Sequence, residues 1–358
     1  MKRLAMVFVI LAALALGLSP AWAAGLAKDS PQMQKAQAAL CAAMDQLKLK
    51  KSDSGFLVLT NAGYGEIGGQ STEAFLDIAA GTTGRSVGSK SLVAVHASCY
   101  QPLWFSLYSK EKNKLAFAKW SAGAFKTQVV DADPQKILTR PGWKKAAAGG
   151  VMGSSMFGVV SLSLAWGQGL DWPLLLSAAF HNHFCPGLNG GYVAAAYVKK
   201  HLPLAKGEGY MFVGAPCKCF MDALQVIFDA TSGKSGAYGL PMSDKAAAKY
   251  ISGKYGPLAI AMRVNKKKNI CDGLVLGFNW VDLRTDCGVK DDEMAPKKGR
   301  ADPMFFISRV KMSMAMAQMP MEKKLGYIKV FKKLSGPASL AQKVALGGGD
   351  PYAVAWGQ

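Results

Sequence analysis

Two of the chain's four histidines stand in one stretch, His181-Asn182-His183-Phe184-Cys185-Pro186-Gly187, with a cysteine two residues after the second. Imidazole nitrogens and a thiolate sulfur are the donors that zinc, iron, nickel and copper take in proteins. A second group follows at Pro216-Cys217-Lys218-Cys219, and Asp222, Gln225 and Asp229 continue it at helical steps. His181, His183, Cys185, Cys217 and Cys219 are therefore the candidate metal ligands, with zinc the first expectation and nickel, iron or copper the alternatives. Cys185 and Asp222 are the candidates for catalysis. A thiolate at a helix N-terminus is favoured by the unpaired N–H groups there, which makes it more reactive, and Asp222 is placed for acid–base work. Three classes fit these residues. One is a metal-binding accessory or carrier protein. The second is a metal- or thiol-dependent enzyme whose ion keeps an open position. The third is a redox or interaction protein that cycles Cys217 and Cys219 without metal.

The elements that must position these residues come in a regular order. Asp171 caps a helix that tolerates Pro173 in its first turn and runs, with Leu174, Leu175, Ala178 and Ala179 on one face, into His181. Gly190 and Gly191 lead into a helix predicted over 192–200. A strand follows at 210–213, then a helix through Phe228. In the first half the pattern predicts a helix over 34–47, a strand over 56–60, a helix over 72–80 ending at Gly81, a strand over 91–96, and an antiparallel pair over 104–108 and 115–120.

Internal repetition outweighs any single element. Glu73-Ala74-Phe75-Leu76 with Thr82-Thr83-Gly84-Arg85 matches Asp222-Ala223-Leu224-Gln225 with Thr231-Ser232-Gly233-Lys234 at the same spacing. Pro102-Leu103 and Pro257-Leu258 each open an apolar run that closes on a lysine-rich turn. Ala132-Asp133-Pro134 matches Ala301-Asp302-Pro303, and Ala165-Trp166-Gly167-Gln168 matches the final Ala355-Trp356-Gly357-Gln358. The expected fold is α+β: two tandem copies of a mixed α/β module with a largely antiparallel sheet. The first copy, residues 24–169, lacks the histidine–cysteine stretch and is degenerate; the second, residues 170–358, carries the site.

Residues 1–23 read as a secretory signal peptide: Lys2 and Arg3, an apolar run from Leu4 to Leu18, and Ala21-Trp22-Ala23 before the cut. The expected location is periplasmic or secreted, with no integral membrane segment after cleavage. The formal charge of +20 falls to +18 without Lys2 and Arg3. Export removes nucleic acid as its partner, leaving an acidic protein, an anionic ligand or a membrane surface. Residues 146–170 carry no charge but are too rich in glycine and serine for a good span, and read as a buried core segment. Seven cysteines is an odd number in an oxidising compartment. If three serve the site, Cys41 with Cys99 and Cys271 with Cys287 are candidate disulfides. His96 with Cys99 is a weaker ligand pair. Met312, Met314, Met316, Met319 and Met321 are a soft thioether cluster, suited to copper or to filling a core. Ser232-Gly233-Lys234-Ser235 lacks the first glycine of a phosphate loop and follows a helix instead of a strand, so it is not one.

Across about 172–290, the run His181-x-His183-x-Cys185-Pro186-Gly187, then Cys219-x-x-Asp222-Ala223-x-Gln225, then Thr231-x-Gly233-Lys234, resembles the FmdE family, named after formylmethanofuran dehydrogenase. The resemblance implies an α+β domain whose histidines and cysteines line a pocket for a transition metal, commonly zinc. It implies ligands at His181, His183, Cys185 and Cys219, with Asp222, Gln225 and Lys234 around them. The family name comes from an operon and does not establish a dehydrogenase. The chain departs from the pattern at Ala230, where the family usually has a cysteine that Cys217 would replace. No cysteine follows Cys287, so the family's C-terminal zinc ribbon is missing.

Overall fold

The computed structural model describes residues 25–346 and 349–357; the predicted signal peptide lies outside them. The chain forms two five-stranded sheets with helices on their faces. The first half runs α1 (Pro31–Gln46), β1 (Phe56–Thr60), the small hairpin β2 (Glu66–Ile67) and β3 (Gln70–Ser71), α2 (Ala74–Thr83), β4 (Leu92–Ala94), β5 (Trp104–Ser109), β6 (Lys114–Ser121) and β7 (Ala124–Asp131). It closes with α3 (Pro134–Ile137), α4 (Arg140–Ala148) and α5 (Met156–Trp166). The second half opens with α6 (Trp172–Phe180), α7 (Pro186–His201), β8 (Gly209–Gly214), α8 (Phe220–Phe228), β9 (Ala237–Gly239) and α9 (Asp244–Ala248). Then come β10 (Gly256–Asn265), β11 (Ile270–Phe278), α10 (Trp280–Asp286), α11 (Asp291–Met294), α12 (Met304–Gln318), α13 (Met321–Leu325), β12 (Ile328–Gly336), α14 (Ser339–Leu346) and α15 (Pro351–Trp356).

The sheet orders are β4-β1-β5-β6-β7 and β9-β8-β10-β11-β12. In each, one short edge strand pairs in parallel, β4 with β1 and β9 with β8, and all other pairs are antiparallel. The α+β class and the repeated sheet are therefore present. The repeat has one large asymmetry: β6 and β7 form a tight hairpin, while β11 and β12 are separated by residues 279–327, which hold four helices. For that reason the Ala-Asp-Pro match is not structurally equivalent. Asp133 follows the last strand of its sheet and Asp302 precedes the last strand of the other.

Alternation along β1 sends Phe56 and Val58 to a core under α1 and α2, and Leu57 and Leu59 to the other face. That other face packs on α5 and α6 in one continuous core that reaches Phe184, Cys185 and Leu188. The uncharged 146–170 stretch is thus interior: Val159, Leu162 and Leu164 are fully buried, and no described helix is long and apolar enough to cross a membrane. In the second sheet Phe212, Ala261 and Leu276 face α7, α8 and α12, while Val213, Ile260 and Val275 face α14 and α15.

Several expectations need correction. Helix α2 continues past Gly81 to Thr83 and stops where Gly84 takes the left-handed conformation, φ 70°. Helix α7 starts at Pro186 instead of Tyr192, because Cys185 caps it, with Leu188 N donating to Sγ at 3.5 Å. Gly190 and Gly191 are inside the helix, where they serve close packing. A Cβ on Gly191 would clash with Phe220 O, and one on Gly190 would stand 2.8 Å from the Trp280 ring. All seven cysteines are free thiols. Cys271 and Cys287 belong to cores on opposite faces of the second sheet, and Cys41 lies exposed on α1, so neither expected disulfide forms. The methionines divide: Met312 and Met316 fill the core beneath the second sheet, whereas Met314 packs on the other core.

Candidate metal centre

The loop 181–185 joins α6 to α7 and is held from both sides. His181 is the C-terminal cap of α6, and Asn182 takes a left-handed φ of 67° that turns the chain back. Asparagine tolerates that conformation better than most side chains. Elements of the first half fix the turn. Asn182 Nδ2 donates to His96 O at 2.7 Å, and Phe184 N donates to Ser161 Oγ at 3.0 Å. Gly158 on α5 lets Asn182 O approach where a Cβ would collide with it. Phe184 is buried in the shared core. The first half of the chain therefore acts as scaffold for the loop.

Cys219 arrives from the other side, at the N-terminus of α8, whose hydrophobic face packs on α7. Gly187 permits the meeting: a Cβ there would sit 3.1 Å from Cys219 Cβ and 3.5 Å from its Sγ. The result is a cluster of His181, His183, Cys185 and Cys219, whose four donor atoms all lie within 4.8 Å of one another. His181 Nδ1 meets Asp222 Oδ2 at 2.6 Å, which aims Nε2 at Cys185 Sγ, 3.8 Å away. Tetrahedral nitrogen and sulfur ligands at zinc bond lengths stand about 3.6 Å apart, so the spacing needs little closure. An imidazole held by a carboxylate on its far nitrogen is the usual arrangement of a metal-bound histidine. Gln225 Nε2 donates to Asp222 Oδ1 at 3.5 Å, placing it behind the carboxylate.

The electrostatics are those of a desolvated anionic cage. Burial opposes the His181 imidazolium, but Asp222 and the Cys219 sulfur outweigh it and raise its pKa to about 9. Burial dominates at His183 and pushes its pKa down. The Cys185 and Cys219 sulfurs lie within 4.8 Å of each other and hold one negative charge between them. Cys219 takes the thiolate, drawn down to about 2 by Cys185 and both imidazoles, and Cys185 keeps its proton, pushed up by Cys219 and by burial. A divalent cation would displace the protons that His181 and Cys185 hold and take over the balancing of the Cys219 thiolate, which is the sense in which the donor set fits a metal.

Cys217 is not in the cluster. It is exposed, and its Sγ lies over β9, 2.6 Å from where a Cβ on Gly239 would be. Lys234, expected near the ligands, is exposed and paired with Asp229 at 2.5 Å. His96 stacks on Phe180 and meets Tyr64 edge-on, while Cys99 lies exposed on the loop that follows.

Composition and spacing gave no sign of the cavity beside the cluster. It measures about 860 Å³ and is lined by His183, Cys185 and Cys219 together with Phe157, Trp280 and Phe306. Arg309 reaches it from α12, and burial pushes the pKa of its guanidinium down. The one available signal was a pair of basic residues, Arg309 and Lys311, inside the methionine-rich run of 304–316.

Comparison with curated proteins finds no match to the chain. Residues 180–270 match the family model described as FmdE, molybdenum formylmethanofuran dehydrogenase operon, so the segment that carries all four clustered donors is an FmdE-like domain.

Proposed function

We propose that this chain is an exported metal-binding protein with an accessory or carrier role. It holds one transition-metal ion, zinc in first place, on His181, His183, Cys185 and Cys219. One observation carries the reading: four soft donors from two separate segments converge within 4.8 Å around the space left by Gly187. Two histidines and two cysteines complete a four-coordinate site, a set more suited to retaining or handing on an ion than to activating water. Asp222 fixes the tautomer of His181, and Gln225 steadies Asp222. The charged start, the apolar run and Ala21-Trp22-Ala23 support export.

A second reading, a metal-dependent enzyme, is favoured by the cavity, which touches three of the four ligand residues. Exchange of one donor for a bound molecule would open a position at which the ion polarises it.

Metal analysis of protein purified from the periplasm tests the proposal. One ion per chain is expected, lost in Cys185→Ala and in Cys219→Ala but kept in Cys217→Ala. A metal-free protein with a reducible Cys217–Cys219 bond would replace it with the redox-thiol reading. Release of the ion to a chelator within minutes supports a carrier; retention over hours supports the enzyme.

A further inference from the structure

We propose that the cavity beside the four donors binds an amphipathic organic acid: a ring-sized apolar body with one anionic head group. This goes beyond the metal reading, for which the cavity is only a neighbour, and its test reads the two separately. Size comes first. About 860 Å³ lies in the range of pockets that enclose a drug-sized molecule. A small hydrated ion would leave most of it as water against Phe157, Trp280, Phe306 and Leu258.

Charge comes second. Four cations line the cavity, and two are already neutralised, Arg284 by Asp291 at 2.5 Å and Lys218 by Asp244 at 2.8 Å. Arg300 and Arg309 have no carboxylate partner among the described residues, and both lie over the same ring, Phe305. Their guanidinium carbons are 5.6 and 3.4 Å from its centroid. Arg309 is half-buried and is oriented by Nη1, which donates to Met294 O at 3.0 Å and Phe305 O at 2.6 Å. Its remaining N–H groups are available to a carboxylate or sulfonate, whose paired oxygens the guanidinium fork suits. The Cys219 thiolate attracts Arg309 across the cavity without a hydrogen bond to it, so the half-buried guanidinium still has donors that a bound anion can satisfy. The apolar body would lie toward Phe157 and Trp280, with the head group at Arg309 and Arg300 near the mouth.

Two probes of the same ring skeleton test this on the full mature chain: 1-anilinonaphthalene-8-sulfonate and its uncharged relative N-phenyl-1-naphthylamine. By fluorescence titration, one sulfonate binds per chain. Arg309→Met weakens it tenfold or more while changing the neutral probe less than twofold. Arg300→Met, at an exposed position that risks no folding defect, weakens the sulfonate about threefold. Ala248→Trp, at the exposed rim, excludes both probes. No sulfonate binding to the wild type, equal losses for both probes in the arginine variants, or unchanged binding in Ala248→Trp would each overturn the proposal. Metal content is measured on every sample. A metal-free wild type that still discriminates the probes through Arg309 removes the metal reading and leaves the cavity reading standing.

Discussion

Replacing Asp222 by asparagine separates two effects that the structure sets against each other. The carboxylate accepts from His181 Nδ1 at 2.6 Å and holds Nε2 toward Cys185. Removing such a partner typically weakens metal binding by 10- to 100-fold. Asp222 is about one-third exposed, with a side-chain accessibility of 32% against 13% for His181, so solvent screening places the loss near 10- to 30-fold, or about 1.4–2 kcal/mol. The same carboxylate also helps raise the His181 pKa to about 9. Below that value the metal must displace a proton, and each pH unit adds about 1.4 kcal/mol of competition. The competition is present at pH 7 and disappears as the pH rises through 9. Asparagine weakens the proton's hold as well as the metal's, so the affinity loss is full at pH 9.5 and shrinks at pH 7. Zinc affinities by competition with a chromophoric chelator at the two pH values measure this. In a His181→Gln background, Asp222→Asn has no further effect. An equal loss at both pH values, or a further loss in that background, refutes the link from Asp222 through His181 to the ion.

Three other outcomes are expected. Gly187→Val drives a side chain into Cys219, whose Cβ would be 3.1 Å from the new Cβ, and lowers metal affinity at least tenfold in protein whose far-ultraviolet circular dichroism is unchanged. Phe184→Ala empties a buried position in the core shared by the two halves and costs about 3–5 kcal/mol in chemical denaturation. Burial and Asp272 push the Cys271 thiol up to about 11, so in native protein at pH 8 it resists alkylation while the exposed Cys41, Cys99 and Cys217 react, as counted by mass spectrometry. The raised value also means that stability from Cys271 is intact below about pH 9 and is lost toward pH 11. Cys271→Val flattens that part of the pH profile.

The loop 181–185 was legible because its donors are neighbours in the chain, and the repeat because paired marks recur in order. The α+β class followed from helical and strand patterns read along each half. Cys217 falls outside the cluster because the chain, across Lys218 alone, sends the two thiols to different neighbours: Cys217 lies over Gly239 and Cys219 faces Gly187. Reading Gly190-Gly191 as a lead-in failed for a related reason. Their lack of side chains serves contacts with Trp280 and Phe220, both distant in sequence. The disulfides were inferred from number alone, and the sheet that separates Cys271 from Cys287 is invisible to counting. Arg309 was missed because its place in the cavity depends on α12 meeting residues more than a hundred positions earlier in the chain.

The long excursion between β11 and β12 divides the labour of the molecule. The four clustered donors come from 181–219, whereas Trp280, Arg284, Arg300 and Arg309 all come from 279–327. A chimaera that exchanges this excursion for another of equal span would change which guest is welcomed and leave the ion's own seat untouched.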